Sequence, residues 1–421
     1  MRDEGAGRDL SRLVVPDVGR LQATGDVWEP YRLLDANGAV IRPAAIYFAE
    51  LQGTERRSST IRSYGNDLLR WWRFLAAIDV AWDKVTPVEG RDFARWMLLA
   101  DKPTRVHWRH QDSADPAGPR RSRHGAAVNA VTGRPSPGPK YSAASRAHAE
   151  TVLRAFYDFQ LELGKGPLIN PFPLDRSRRP GRAHEHHNPM EPYRKERVGR
   201  YRPKVPQRIP KKIPDEHFNT VFAALKSNRD RALLAFWVST GARAEELLSA
   251  RQGDEDPGQQ LITVTRKGSR KAQQLPASPD AFVWLRLYQE ELWRRGAPRG
   301  RRHPLWFTLR RPWRPLTYHA ARAMFTRAQQ ALGSNYSLHA LRHLAAYRMA
   351  DDPDMNITDV QWILDHAYLT TTQLYTTPTQ DEVIASALAH HARQAARAAS
   401  PPTPPAPGYN PESLDILFGR T

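Results

Sequence analysis

The chain contains no cysteine, which excludes disulfides, a thiolate nucleophile and any cysteine-ligated zinc site. It also has no run of about 18 apolar residues, so no membrane-spanning helix is predicted. The first residues, 1–7, lack the apolar core of a signal peptide. From these absences we expect a soluble protein located in the cytoplasm.

Acidic residues are scarce relative to basic ones. The 421 residues include 63 Lys and Arg but only 44 Asp and Glu, which gives a formal net charge of +19. A balance of this kind favours a polyanionic partner, and although membrane surfaces also attract basic chains, nucleic acid is the preferred interpretation. The length is sufficient for two or three domains.

The N-terminal half is patterned mainly as helix. Residues 1–40 show weak periodicity and are interpreted as an N-terminal arm. Over residues 41–175, apolar side chains recur at three- and four-residue intervals, which predicts a small all-helical domain. Residues 101–140 interrupt it with a basic loop rich in Pro and Gly. The predicted N-caps of its helices are Ser59, Thr86 and Ser142; Thr86 and Glu89 form a capping-box pattern.

A basic, proline-rich stretch at residues 176–212 is the predicted linker between domains. In the second domain, residues 213–398, a helix is expected to begin at Asp230 and to end at Gly241. A β-hairpin is predicted from strand-like residues 261–265 and 271–276. Residues 399–421 form a Pro-rich tail.

Four short segments of the second domain carry groups suited to phosphoryl transfer. Arg243 follows Thr240 and Gly241 and offers a planar pair of donors to phosphate oxygens. Lys267 lies in the hairpin turn. The remaining candidates are His339 and Arg342, which are three residues apart and share a helical face, and His366 and Tyr375, which are nine apart.

Each segment alone is weak evidence, because single Arg, Lys, His and Tyr residues are common on protein surfaces and in cores. Together, the order Thr-Gly-x-Arg, hairpin Lys, His-x-x-Arg-His and Leu-x-His before Tyr resembles the tyrosine recombinase (phage integrase) family. The resemblance covers residues 213 to about 390, and more loosely 41–175. It implies a mainly α fold with a small β-sheet or hairpin: a two-domain DNA clamp with a helical, SAM-like core-binding domain and a mixed α+β catalytic domain.

The resemblance also implies a role for each residue. Arg243 and Arg342 would hold the scissile phosphate, and Tyr375 would attack it to form a 3′-phosphotyrosyl intermediate. His339 would accept the tyrosine proton, while His366 would hold the phosphate. These roles imply site-specific recombination, the integration or excision of a mobile element.

The leaving 5′ oxygen needs a proton, which the resemblance assigns to Lys267. Arg266, Arg270 and Lys271 lie in the same hairpin, so the assignment rests on the place of Lys267 just before Gly268. Glu246 matches an acidic position that orients the site. No metal and no cofactor are expected.

One residue departs from the family pattern. Where the family usually has Gly, this chain has Asp365, directly before His366. Its carboxylate is expected either to raise the pKa of His366 or to disfavour a nearby phosphate.

The resemblance implies double-stranded DNA as partner, a tetramer on two DNA sites and a prokaryotic, nucleoid-associated location. The tail at 410–419 is a candidate short helix that packs on a neighbouring protomer. His184, His186 and His187 lack the usual metal-ligand spacing and are not assigned a metal. A type IB topoisomerase-like enzyme and a catalytically silent or accessory DNA-binding protein remain alternatives.

Overall fold

The computed structural model describes residues 8–103, 128–135, 138–175, 198–205, 212–376, 380–399 and 410–419. The chain divides into two units, Met1–Arg208 and Ile209–Thr421, a division that falls within the predicted linker 176–212. Three predicted segments lie outside the described residues, wholly or for the most part: the basic loop 101–140, the linker 176–212 with its histidines, and residues 400–409 of the Pro-rich tail.

The first unit consists of a β-hairpin followed by helices. Its elements are β1 (Arg20–Ala23), β2 (Tyr31–Leu34), α1 (Arg42–Gly53), α2 (Ser58–Ile78), α3 (Pro87–Leu99) and α4 (Ala143–Glu162). The capping box of Thr86 and Glu89 and the N-cap at Ser142 are confirmed. The start of α2 was misplaced by two residues, since its N-cap is Arg57 rather than Ser59 and makes no side-chain cap.

The hairpin β1–β2 lies inside the segment interpreted as an arm. Arg20 pairs with Leu34 and Ala23 with Tyr31 in antiparallel register. Leu33 is fully buried and Leu10 nearly so, both in the core of this unit. Strands of four residues are too short for periodicity to reveal them, which is why the sequence did not predict this hairpin.

Aromatic side chains form the core of the first unit. Trp71 is fully buried, and its indole Nε1 donates to the hydroxyl of Tyr157 at 2.8 Å. That hydroxyl donates in turn to the carbonyl oxygen of Trp82 at 3.0 Å. Both polar atoms are therefore satisfied inside an apolar core, as buried polar groups require.

The second unit surrounds a small antiparallel sheet with helices. Its elements are α5 (Asp215–Ala223), α6 (Asn228–Thr240), α7 (Ala244–Leu248), β3 (Glu255–Asp256), β4 (Leu261–Thr265), β5 (Ala272–Pro276), α8 (Pro279–Arg294), α9 (Tyr318–Ala328), α10 (Leu338–Ala350), α11 (Ile357–Leu364), α12 (Leu369–Gln373), α13 (Gln380–Ala399) and α14 (Pro411–Leu417). The strand order is β3-β4-β5. The predicted hairpin is confirmed as β4 and β5, whereas β3 was not predicted.

Helix α6 is the central helix of the second unit. Leu233, Leu234 and Phe236 are fully buried on it. It begins at Asn228 after the N-cap Ser227, whose hydroxyl accepts from the N–H of Asp230, so the predicted start at Asp230 was late by two residues. Its predicted end is confirmed, because Gly241 has a φ of 61° and a backbone in the left-handed region that glycine tolerates best.

Within the described residues, no helix is both long and apolar enough to cross a bilayer.

Candidate active site

The turn between α6 and α7 positions Arg243. Gly241 stops α6, and Arg243 then becomes the N-cap of α7 with an extended backbone. Its backbone N–H donates to Oε2 of Glu246 at 3.0 Å, and its guanidinium Nη1 donates to Oε1 of the same carboxylate at 2.8 Å. The Arg243 side chain is 28% exposed, so its guanidinium remains within reach of a ligand.

Glu246 is the buried carboxylate that links α7 to the hairpin. It is 2% exposed and accepts two further hydrogen bonds, from Nη1 of Arg266 at 3.1 Å and from the backbone N–H of Lys267 at 2.9 Å. Burial alone would raise its pKa, but the hydrogen bonds from Arg243 and from the backbone outweigh burial and lower the pKa to about 2. Glu246 is therefore a permanent anion that holds Arg243 and the start of the hairpin turn together.

The C-terminus of α11 binds three arginines at three successive residues. Arg266 donates to the carbonyl oxygen of Ile363, Arg342 to that of Leu364, and Nη1 of Arg243 lies 3.3 Å from Oδ2 of Asp365. Carbonyl groups at a helix C-terminus have no partner within the helix and carry partial negative charge, so they attract cations. One helix end thus gathers guanidinium groups from α7, β4–β5 and α10.

Arg342 lies on α10 and is 3% exposed. Besides Leu364 it donates from Nη1 to the carbonyl oxygen of Gly241 at 2.8 Å, so it joins the ends of α6 and α11. Burial and the neighbouring charge of Arg243 lower the pKa of Arg342 to about 10. At neutral pH it is still a cation.

The two basic residues at the start of the hairpin turn differ in environment. Arg266 is fully buried, and its Nε also donates to Oε1 of Gln273 at 2.7 Å. Lys267 is about half exposed, and its Nζ lies 2.9 Å from Oε2 of Glu245. Of this pair, Lys267 is the one that presents an accessible ammonium.

Tyr375 follows α12 and is 6% exposed. Its hydroxyl lies 2.9 Å from Nδ1 of His343, and its ring packs edge to face on Tyr347 at 5.2 Å between centroids. The ring of His366 stacks parallel to that of Tyr375 at 6.2 Å. The phenol therefore sits between the α10 histidine and the histidine that follows α11.

The three histidines have lowered pKa values. Burial and neighbouring positive charges lower the pKa of His343 and of His366 to about 4, and they lower that of His339 as well. His339 contacts His343 edge to face at 4.5 Å, and Nδ1 of His366 lies 2.9 Å from the hydroxyl of Thr372. At neutral pH these rings are uncharged and able to accept a proton.

Contacts in the structure join the six predicted catalytic residues into one connected set. Arg243, Arg342 and His366 meet at the end of α11, His366 reaches Tyr375, and Tyr375 reaches His339 through His343. Lys267 joins through its backbone bond to Glu246. His343 received no role from the sequence, although it belongs to the quoted His-x-x-Arg-His motif. Arg266 was read only as an alternative to Lys267.

The arrangement suits an anionic ligand. Guanidinium groups converge beside a phenol and uncharged imidazoles, which are the groups that bind and attack a phosphate ester. Among the described residues, no group of three or more histidine, aspartate or glutamate side chains could hold a metal ion.

Comparison with protein families gives a match over this part of the chain. Residues 212–382 match the model of the phage integrase family. The chain is 28% identical over 181 residues to a protein named Tyrosine recombinase XerC from Chlamydia caviae, covering 41% of this chain and 56% of that protein. It is 28% identical over 212 residues to Tyrosine recombinase XerD from Vibrio vulnificus, covering 45% and 64%. The chain thus spans about three fifths of the length of these relatives.

Solved structures also match. The XerH site-specific recombinase, in a post-cleavage complex with palindromic difH substrate, gives a TM-score of 0.52 at 15% identity, covering 84% of this chain and 85% of that one. A lambda integrase dimer bound to a COC′ core site gives 0.51 at 16% identity, covering 80% and 94%. Likeness at these identities concerns the fold, and the predicted class, mainly α with a small sheet, is confirmed.

Proposed function

Residues 212–382 of this chain belong to the phage integrase family of tyrosine recombinases, and from this premise we propose that the protein is a site-specific DNA recombinase with Tyr375 as its nucleophile. One observation carries the proposal. Two guanidinium groups, Arg243 and Arg342, meet at the end of α11, directly before the histidine ring that stacks on Tyr375.

Arg243 and Arg342 act on the scissile phosphate. The transition state of phosphoryl transfer concentrates negative charge on the non-bridging oxygens, and fixed cations beside those oxygens stabilise it without reorganising. Arg243 is partly exposed, whereas Arg342 is 3% exposed and, like Tyr375, has to become more accessible before it binds the phosphate. We assign the two residues as the phosphate clamp, with His366 as a further hydrogen-bonding group.

Tyr375 has to become accessible before it reacts. A phosphate in duplex DNA cannot reach the hydroxyl of a side chain that is 6% exposed, so the segment carrying Tyr375 moves and the contact with His343 breaks. In the attacking arrangement the tyrosine proton passes to His339, which is uncharged at neutral pH. His343 holds the phenol in the arrangement described here.

The chemical step exchanges one ester for another. The Tyr375 oxygen bonds to phosphorus, the bond to the 5′ oxygen breaks, and Lys267 supplies the proton that this leaving oxygen needs. The product is a 3′-phosphotyrosyl ester, which keeps the energy of the original bond. Attack by the 5′ hydroxyl of a second DNA end then releases Tyr375 and completes strand exchange, while Glu246 positions Arg243 and the hairpin throughout.

Duplex DNA is the proposed substrate. The chain carries a formal net charge of +19, which favours a polyanionic partner. The similar XerH recombinase is bound to its palindromic difH substrate, and the lambda integrase dimer to a COC′ core site. We propose that the reaction integrates or excises a mobile element, at a nucleoid-associated, cytoplasmic location.

The C-terminal helices support self-assembly. Val383, Ile384 and Leu388 on α13 are about half exposed or more. Beyond them, Ile416 and Leu417 of α14 and the following Phe418 are 65–75% exposed. A helix as short as α14 is stable only when its exposed apolar side chains pack on another surface. We propose that residues 410–419 pack on a neighbouring protomer, in a tetramer that bridges two DNA sites.

Covalent trapping tests the proposal. Purified wild type is incubated with end-labelled, nicked duplexes from the DNA that flanks the gene, and adducts are resolved on a denaturing gel. Wild type and Tyr368→Phe are expected to form an adduct and Tyr375→Phe none. Tight binding without an adduct in wild type favours an accessory DNA-binding protein, and relaxation of supercoiled plasmid without strand exchange favours a topoisomerase-like enzyme.

A further inference from the structure

Asp365 occupies a backbone position that a side chain disfavours. It ends α11 with φ 52° and ψ 49°, in the left-handed region where a Cβ crowds the backbone. Glycine adopts this conformation most easily, and asparagine tolerates it about as well as aspartate does. The backbone therefore does not explain an aspartate here; what distinguishes Asp365 from asparagine is its negative charge.

That charge is directed at Arg243. Oδ2 of Asp365 lies 3.3 Å from Nη1 of Arg243, the same nitrogen that donates to Glu246 at 2.8 Å. Glu246 is buried and is also bound to Arg266 and to the backbone of Lys267, so an incoming ligand does not displace it from Arg243. The Asp365 side chain is 30% exposed, and among the described residues its carboxylate hydrogen-bonds to Arg243 alone.

The Asp365 carboxylate lowers the net positive charge of the site. Arg243, Arg266 and Arg342 contribute three positive charges, which Glu246 and Asp365 reduce to one while the histidines are neutral. A phosphodiester brings one negative charge and its transition state brings more. Without the Asp365 carboxylate the same cations would attract the phosphate more strongly, because like charges a few ångströms apart repel each other.

We propose that Asp365 is a resident counter-anion of Arg243, which the incoming phosphate must displace and which therefore weakens phosphate capture. The inference deepens the proposed function and rests on it for the identity of the physiological ligand. It assigns Asp365 as a residue that tunes the affinity of the site, so that the clamp closes fully only on a phosphate held in place by the rest of a bound duplex.

The primary test uses inorganic phosphate as probe and needs no knowledge of the DNA target. The melting temperature of the full chain is followed as phosphate is added, for wild type, Asp365→Asn and Asp359→Asn. The control removes the same charge from an exposed residue in the first turn of the same helix. Asp365→Asn is expected to bind phosphate about tenfold more tightly than wild type, and the control unchanged. Equal or weaker affinity in Asp365→Asn overturns the proposal.

Two further variants separate charge from backbone strain and from binding elsewhere on this basic chain. Asp365→Gly removes both the charge and the strained Cβ, so it should match Asp365→Asn in phosphate affinity while melting at a higher temperature. In an Arg243→Gln background, Asp365→Asn should give no gain in affinity, since the contact it relieves is absent. A gain of the same size in that background also contradicts the proposal.

Failure of this inference and failure of the proposed function are distinguishable. Absence of a Tyr375-dependent DNA adduct in wild type contradicts the recombinase, whatever the phosphate titrations give. Adduct formation in wild type together with unchanged phosphate affinity in Asp365→Asn contradicts the role of Asp365 alone.

Discussion

The hydroxyl of Tyr375 lies 2.9 Å from Nδ1 of His343, inside a cluster that leaves the tyrosine 6% exposed. Burial raises the pKa of this phenol, which disfavours the phenolate that attack requires. The same contact holds the Tyr375 hydroxyl against an imidazole that is uncharged at neutral pH. Tyr375 is thus held in a buried, unreactive position. Substitution of the histidines beside it is expected to change the cleavage rate differently from one histidine to the other.

Substitution of the two α10 histidines distinguishes the one that holds the buried tyrosine from the one that takes part in catalysis. His343→Ala removes the partner of the buried phenol, so we expect cleavage of a nicked duplex at least as fast as in wild type. His339→Ala removes the proposed proton acceptor, and the single-turnover cleavage rate should fall on the order of a hundredfold. Both rates are measured at saturating protein. The reverse order of effects would identify His343 as the base.

Arg266 is expected to be needed for stability as well as activity. It is fully buried with bonds to Glu246, Gln273 and Ile363, so Arg266→Met leaves the buried Glu246 carboxylate short of one partner. Breaking a buried ion pair from one side costs about 3–5 kcal/mol. Urea unfolding measures the loss, with Lys271→Met, an exposed change in the same hairpin, as control. A loss below about 1 kcal/mol would mean that the Arg266 contacts contribute little.

The pKa values of the histidines predict that acid destabilises the second unit. His343 and His366 have pKa values of about 4 in the folded chain, against 6.5 when unperturbed. Between those values the unfolded chain binds protons that the folded chain does not, so stability is present above pH 6.5 and is lost as the pH falls towards 4. Between pH 7 and pH 5 a shift of this size corresponds to about 2 kcal/mol per histidine. Because solvent screens these partly buried rings, we expect the free energy of unfolding to drop by about 2 kcal/mol for the pair rather than by twice that.

Unfolding monitored at several pH values tests this direction. His366→Gln should reduce the loss, because it removes one of the two groups. In the first unit, the hydrogen bond from His148 to the Asp67 carboxylate outweighs burial and raises the pKa of His148. His148 should therefore add to the free energy of unfolding of that unit over the same fall in pH. A second unit whose stability is independent of pH between 7 and 5 would contradict the account.

Truncation after Ala399 removes α14 with its exposed Ile416 and Leu417, together with the exposed Phe418 that follows it. If this segment packs on a neighbouring protomer, the shortened chain should bind a single DNA site normally but assemble poorly on two. Sedimentation of complexes with one-site and two-site duplexes measures both properties. A chain that lacks only residues 420–421 serves as control, and unchanged assembly in the truncated chain would exclude docking by α14.

The sequence predicted the local parts of the site, because each depends on neighbouring residues. Gly241 ends α6 and releases Arg243, the hairpin presents Lys267, and helical spacing puts His339 and Arg342 on α10. Local sequence patterns could not predict contacts between residues that are distant in the sequence. Nothing local indicated that Arg266 is buried or that His343 meets Tyr375, since both depend on how α11 and α12 pack against α10.

Short elements were the other source of error. The β1–β2 hairpin and the two-residue strand β3 contain too few residues to establish a period, and their pairing depends on partners elsewhere in the chain. Asp365 shows the opposite case. The sequence alone showed that an aspartate stands where the family usually has glycine. The structure added that its carboxylate contacts Arg243.

Identification of the residue that becomes attached to DNA tests the assignment of Tyr375 as the nucleophile. Adducts formed on nicked duplexes are digested with nuclease and protease, and the modified peptide is located by mass spectrometry. The account predicts one nucleotide linked through its 3′ phosphate to Tyr375. A nucleotide attached to any other residue, or a 5′ linkage, would contradict it.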